Sequence, residues 1–208
     1  MTDFYPPYQG VVAYGDANVN HSGSGDFYPN AGHREDANSG LISTWTENKI
    51  QNAGDSASQD TYAYSGIQFP FQMPTSGRLN AEITLSCEYN GFNTGYLRDE
   101  TGWSSAAIIQ GANLKIWLPS GSDGDSITHN MLYYTRGEEE GTWSNVFARQ
   151  SEVRSYSFIS QKGFNSGDWV LLIAEIDSFQ DVYVNDMSNR SNLDHYWRIV
   201  RLSITGVP

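Results

Sequence analysis

From Leu79 to Asn90 every odd position is apolar or aromatic and every even one polar, in the order Leu-Asn-Ala-Glu-Ile-Thr-Leu-Ser-Cys-Glu-Tyr-Asn. Side chains that alternate in this way leave the two faces of an extended strand, one buried and one wet; a helix would scatter them around its circumference. The same period recurs along the chain. Residues 106–118 place Ile108, Ala112, Leu114, Ile116 and Leu118 on one face, and residues 169–179 place Val170, Leu172, Ala174 and Ile176 on one. Shorter segments follow turn signals at 127–136, 142–148 and 153–160, and 196–207 closes the chain. No segment carries a helical period over ten residues, and no repeat of fixed length appears. Many short strands separated by Gly, Asn, Asp and Pro predict an all-β antiparallel β-sandwich of jelly-roll-like connectivity.

The tyrosine- and phenylalanine-rich stretch 61–72 is expected to pair with 79–90 as a hairpin across Pro74-Thr75-Ser76-Gly77, with Pro70 at an edge or bulge. The stretch from Gly15 to Asp26 shows no apolar period. Residues 1–40 are therefore expected to be a loop-rich N-terminal arm, and 41–208 the sandwich.

Composition narrows function mostly by exclusion. With 12 Lys and Arg against 24 Asp and Glu, the net charge of −12 opposes nucleic-acid phosphates and anionic membrane surfaces. No apolar run approaches the ~18 residues of a membrane helix, and the first residues, Met-Thr-Asp-Phe-Tyr-Pro-Pro, lack the pattern of a signal peptide. One cysteine, Cys87, excludes an intramolecular disulfide and sits on the apolar side of its strand. Disorder is excluded by 13 Tyr, 9 Phe and 6 Trp.

Three groups of residues could carry chemistry. Tyr96, Trp103 and Trp143, with Asp99, stand beside polar turns, where an exposed ring can stack on a sugar and a carboxylate can take its hydroxyls. Asp16 and Asn18, within Asp-Ala-Asn-Val-Asn-His-Ser, and Asp123 and Asp125, within Ser-Asp-Gly-Asp, present oxygens at alternate positions, as Ca2+ loops do. Glu175 and Asp177 share a strand face with Trp169, and adjacent carboxylates raise one another's proton affinity.

The Ala174-Glu175-Ile176-Asp177 piece resembles the Glu-Ile-Asp core of the laminarinase-like glycoside hydrolases, which are also jelly rolls. That resemblance implies Glu175 and Asp177 as catalytic carboxylates. The family's third carboxylate is replaced here by Ser178, Phe179 and Gln180. No nucleophile elbow, phosphate-binding glycine loop or zinc spacing is present.

The reading these features support is a non-enzymatic binding or adhesion module, displayed outside the cell or on a particle, whose partner is a glycan or protein. A structural subunit of a virion, fibre or other surface assembly, forming a homo-oligomer, is the alternative. A polysaccharide hydrolase or lyase using Glu175 and Asp177 is the third.

Overall fold

The structure is a computed structural model and describes residues 1–53, 56–97, 105–119, 125–139, 143–185 and 187–208. The described residues form strands β1 (Thr2–Phe4), β2 (Val12–Gly23), β3 (Asp26–Phe27), β4 (Asn30–Asp36), β5 (Leu41–Gln51), β6 (Ala57–Gln72), β7 (Gly77–Leu97), β8 (Ser105–Trp117), β9 (Ser126–Glu139), β10 (Trp143–Phe164), β11 (Trp169–Asn185) and β12 (Met187–Val207). They contain no helix, and so none long and apolar enough to cross a membrane.

The strands make two antiparallel sheets. One has the order β10-β7-β12-β5, with β3 and β4 along the free edge of β5 and β1 on β12; the other runs β2-β6-β11-β8-β9. From β5 onward the chain crosses between the sheets, so that 5-12-7-10 faces 6-11-8-9. This is the doubly wound Greek-key order of an eight-stranded jelly roll.

Alternation places the core as expected. Leu79, Ala81, Ile83 and Leu85 of β7, Leu114 and Ile116 of β8, and Leu172, Ala174 and Ile176 of β11 are fully or almost fully buried. They belong to one cluster with Ile42, Ile67, Phe158, Trp197 and Ile199. A second, smaller apolar cluster of Ile50, Ala53, Ala57, Ile108, Val182 and Val184 fills the opposite end of the sandwich.

Between the two lies a band of buried polar side chains. The first sheet contributes Thr44, Thr46, Asn48, Ser191 and His195, and the second Gln59, Thr61, Ser65, Gln110, Ser178 and Gln180. Amides from this band tie the sheets together. Gln180 Nε2 donates to Thr46 Oγ1 at 2.7 Å, Asn48 Nδ2 to the Gln180 carbonyl at 3.2 Å, and the Lys49 N–H to Gln59 Oε1 at 2.9 Å.

Two expectations need correction. Segments 61–72 and 79–90 do not pair as a hairpin: β6 pairs with β2 and β11, and β7 with β10 and β12. The turn at Pro74–Gly77 carries the chain from one sheet to the other. Pro70 lies beyond the last β2 partner of β6, at Gln68, so its missing N–H interrupts no ladder there.

Much of the expected N-terminal loop is also strand. Residues 12–23 form β2, paired along β6, and 30–36 form β4, paired along β5. The period of two is present in β2, but its partly buried inward positions are Ala13, Gly15 and Ala17, too small to register as an apolar face. Gly15 is small for a reason. A Cβ there would stand 2.3 Å from His33 Nδ1 on β4 and 2.8 Å from the Tyr64 carbonyl. The gap lets β2 and β4, edge strands of opposite sheets, close one side of the sandwich.

Candidate functional site: the outer face of the second sheet

Alternation that buries one face of β2, β6, β11 and β8 must expose the other. Backbone register assembles that exposed face rung by rung. Tyr14, Gly66, Glu175 and Lys115 occupy one rung, and Asp16, Tyr64, Asp177 and Asn113 the next. Asn18, Tyr62, Phe179 and Gly111 follow, then Asn20, Asp60, Asp181 and Ile109. The face therefore interleaves aromatic rings with carboxylates and amides.

Tyr64 lies between Tyr14 and Tyr62, its ring centroid 6.0 Å from each, so the three rings form a continuous ledge. Tyr62 is 39% exposed, and Trp169, where β11 begins on the same face, is 71% exposed. Beside the ledge is an open depression of about 350 Å³ lined by Asn18, Asn20, Asp60, Tyr62, Phe179 and Asp181.

The two carboxylates singled out from sequence are on this face and half-buried. Tyr14 Oη donates to Glu175 Oε2 at 2.6 Å, and Asn113 Nδ2 to Asp177 Oδ1 at 2.9 Å. Burial raises the Asp177 pKa and the Glu175 charge adds to the rise, while the Asn113 bond and Lys115 oppose it. Asp181 is raised too, by burial and by Asp60 directly across the ladder. Burial, then the charges of Asp177 and Glu175, push the Tyr62 hydroxyl up to about 12, so it remains a donor at neutral pH. Tyr14 is raised by burial and by Glu175.

The arrangement offers stacking surfaces, phenolic donors and carboxylate acceptors within one rung of each other. Such a set holds a ring that is apolar on its face and hydroxylated at its rim. A larger cavity, about 400 Å³, lies under the N-terminal segment among Phe4, Tyr8, Phe69 and Phe71. Its rings pack on one another, and its carboxylate, Asp3, is bonded to Ser203 and Arg201. Tyr5 and Gln9, both exposed, complete its rim.

The other sequence candidates are placed as follows. Tyr96 pairs with Ser188 and Trp143 with Gly95, so their backbones lie on neighbouring rungs at one end of β7 and β10. Asp99, Trp103 and Asp123 lie outside the described residues. Asp16 and Asn18 belong to β2 and to the sheet face rather than to a loop, their alternation being that of a strand. Asp125 is buried, and its Oδ1 accepts the Gln161 N–H at 2.8 Å, tying the start of β9 to β10. Among the described residues no group of three or more His, Cys, Asp or Glu side chains could hold a metal ion.

Sequence reading passed over Tyr14, Tyr62, Tyr64, Phe179, Asp60 and Asp181. For all but Tyr14 the signal was the even-position run Asp60-Tyr62-Tyr64 and the odd-position run Glu175-Asp177-Phe179-Asp181. Nothing local says that the two runs are neighbours.

Fold and face together define a jelly-roll β-sandwich with an aromatic and carboxylate-lined sheet. No family model matches this chain, and no curated protein matches it. Among solved structures, one match is the carbohydrate-binding module TmCBM61 in complex with beta-1,4-galactotriose. It is 7% identical over 77% of this chain and 86% of that one, with a TM-score of 0.22. The enzymatically active domain of bacteriophage CBA120 tailspike protein 4 is 14% identical over 83% of this chain and 19% of that one, with a TM-score of 0.17. A chain of infectious bursal disease virus, Gt strain, is 12% identical over 89% of this chain and 42% of that one, also at 0.17. At such TM-scores these likenesses carry no argument, and the fold rests on the strand order alone.

Proposed function

We propose that this protein is a glycan-binding module whose site is the outer face of the β2-β6-β11-β8-β9 sheet. The observation that carries the reading is the ledge of Tyr14, Tyr64 and Tyr62 beside a depression edged by Asp60 and Asp181. Sugar rings stack on the tyrosines, and the carboxylates and Asn18 and Asn20 take hydroxyls. Among the described residues, five carboxylates on the face against Lys115 select neutral glycans over uronic-acid polymers, because like charges repel at such range. A module of this kind serves outside the cell or on a particle surface.

Calorimetry with neutral oligosaccharides found on a glycan array tests the site. Tyr62→Ala and Asp181→Asn are each expected to weaken binding at least tenfold, about 1.4 kcal/mol, with the circular dichroism unchanged. An array with no hit in either calcium or chelator overturns the function. Binding that survives both substitutions but is lost in Trp143→Ala moves the site to the β7–β10 end.

A hydrolytic reading is favoured by one observation, the half-buried placement of Asp177 beside Glu175 on one strand face, where burial and the neighbouring charge raise its proton affinity. In it Asp177 is the general acid. Asp177→Asn should then abolish cleavage of a bound glycan while leaving its affinity within a few-fold.

A further inference from the structure

We propose that the polar band across the middle of the sandwich is a hydrated seam, a binding site for structural water molecules. This is independent of the glycan reading. The seam is fully buried on both sheets, yet its internal hydrogen bonds leave atoms over. Among the described residues, Asn48 Oδ1, Gln110 Oε1, Gln59 Nε2 and the hydroxyls of Thr44, Ser65 and Ser178 have no protein partner. Polar groups buried in a folded core are almost always bonded, because an unmade bond there forfeits the group's hydration without return.

The chemistry of these atoms identifies the ligand. Asn48 Oδ1 and Gln110 Oε1 only accept, Gln59 Nε2 only donates, and the three hydroxyls do either. The amide orientations are fixed by the bonds already made, since Asn48 Nδ2 donates to two carbonyls and Gln59 Oε1 accepts the Lys49 N–H. A cation is disfavoured by the Gln59 donor and by the lack of any carboxylate in the band among the described residues. An anion is disfavoured by the two amide oxygens, and an apolar guest leaves every group unmet. Water both donates and accepts.

There is also room. On the inner side of the second sheet Ala63, Ser178 and Ala112 form one rung across β6, β11 and β8. Three short side chains in a row, in a gap that sandwich sheets set at ~10 Å, are where a water fits with least displacement. A chain of this length carries on the order of eight buried waters.

A crystal structure at ~1.5 Å or better tests the proposal. It is expected to show ordered solvent within 3.5 Å of most of these six atoms. Ser178→Ala should lose the water on that hydroxyl and keep the others. Density that is empty throughout the seam, or that fills with xenon under pressure, overturns the proposal. Should Ser178→Ala fail to fold, water-to-protein cross-relaxation in the unaltered protein decides. Long-lived water contacts to seam side chains support it, and their absence refutes it.

Discussion

His195 lies on β12 with its ring buried beside Trp197, whose indole N–H donates to His195 Nδ1 at 3.3 Å. That bond puts the proton of a neutral ring on Nε2. Burial holds the folded-state pKa down at about 3, against 6.5 for an unperturbed histidine. Below pH ~6.5 the unfolded chain therefore takes up a proton that the folded one refuses. Stability contributed by the neutral ring is complete above that pH and is lost as pH falls toward 3, at up to about 1.4 kcal/mol per unit. Chemical denaturation from pH 7 to 4 should show this slope, and His195→Gln should flatten it; an unchanged slope would locate the acid sensitivity elsewhere. Leu85, fully buried in the larger cluster, tests the face assignment of β7. Leu85→Ala should cost ~2–5 kcal/mol in urea unfolding, whereas a cost below ~0.5 kcal/mol is that of an exposed site.

At the level of strands, β6 shows how one residue shapes the candidate site. Gly66 of β6 faces Tyr14, and a Cβ there would lie 2.7 Å from Tyr14 Oη and 2.7 Å from Cζ. The missing side chain lets the phenol lie across β6 and reach Glu175 on β11. Because the obstructing atoms are the far end of a side chain, Gly66→Ala should displace the ring rather than unfold the strand. Glycan affinity should fall several-fold while the melting temperature moves by less than ~3 °C; a large fall in melting temperature would mean that Gly66 is structural alone.

Strand faces were legible wherever the inward residues were large, as in β7, β8 and β11. They were not in β2, where Gly15 marks a close approach to β4 and its neighbours Ala13 and Ala17 are small. Glu175 and Asp177 were legible as face-sharing carboxylates. Their partners Tyr14 and Asn113 come from strands 161 and 64 residues away in sequence, where no pattern could announce them.

For the whole molecule, the seam divides the interior into unequal apolar blocks. The smaller one, around Ile50, Ile108, Val182 and Val184, closes the end to which β5–β6, β7–β8 and β11–β12 connect. Fewer apolar contacts and a polar plane beneath it should let that end open without the rest, since regions of low apolar contact unfold sub-globally. Native-state hydrogen exchange should give Ile50 and Val182 protection at least tenfold below that of Leu85 and Leu172. Equal protection would mean that the sandwich opens as one unit.

The amino-acid order alone determined that the chain is strand, which faces of β7, β8 and β11 are buried, and that two carboxylates stand together on β11. It does so because side-chain direction reverses at every residue of an extended chain, whatever its partners. Only the tertiary structure decided that β6 and β7 lie in opposite sheets, that the N-terminal residues widen both, and that tyrosines from β2 and β6 meet carboxylates from β11. Those relations depend on crossovers and register, set by how two twisted sheets close over a shared interior rather than by any period within a segment.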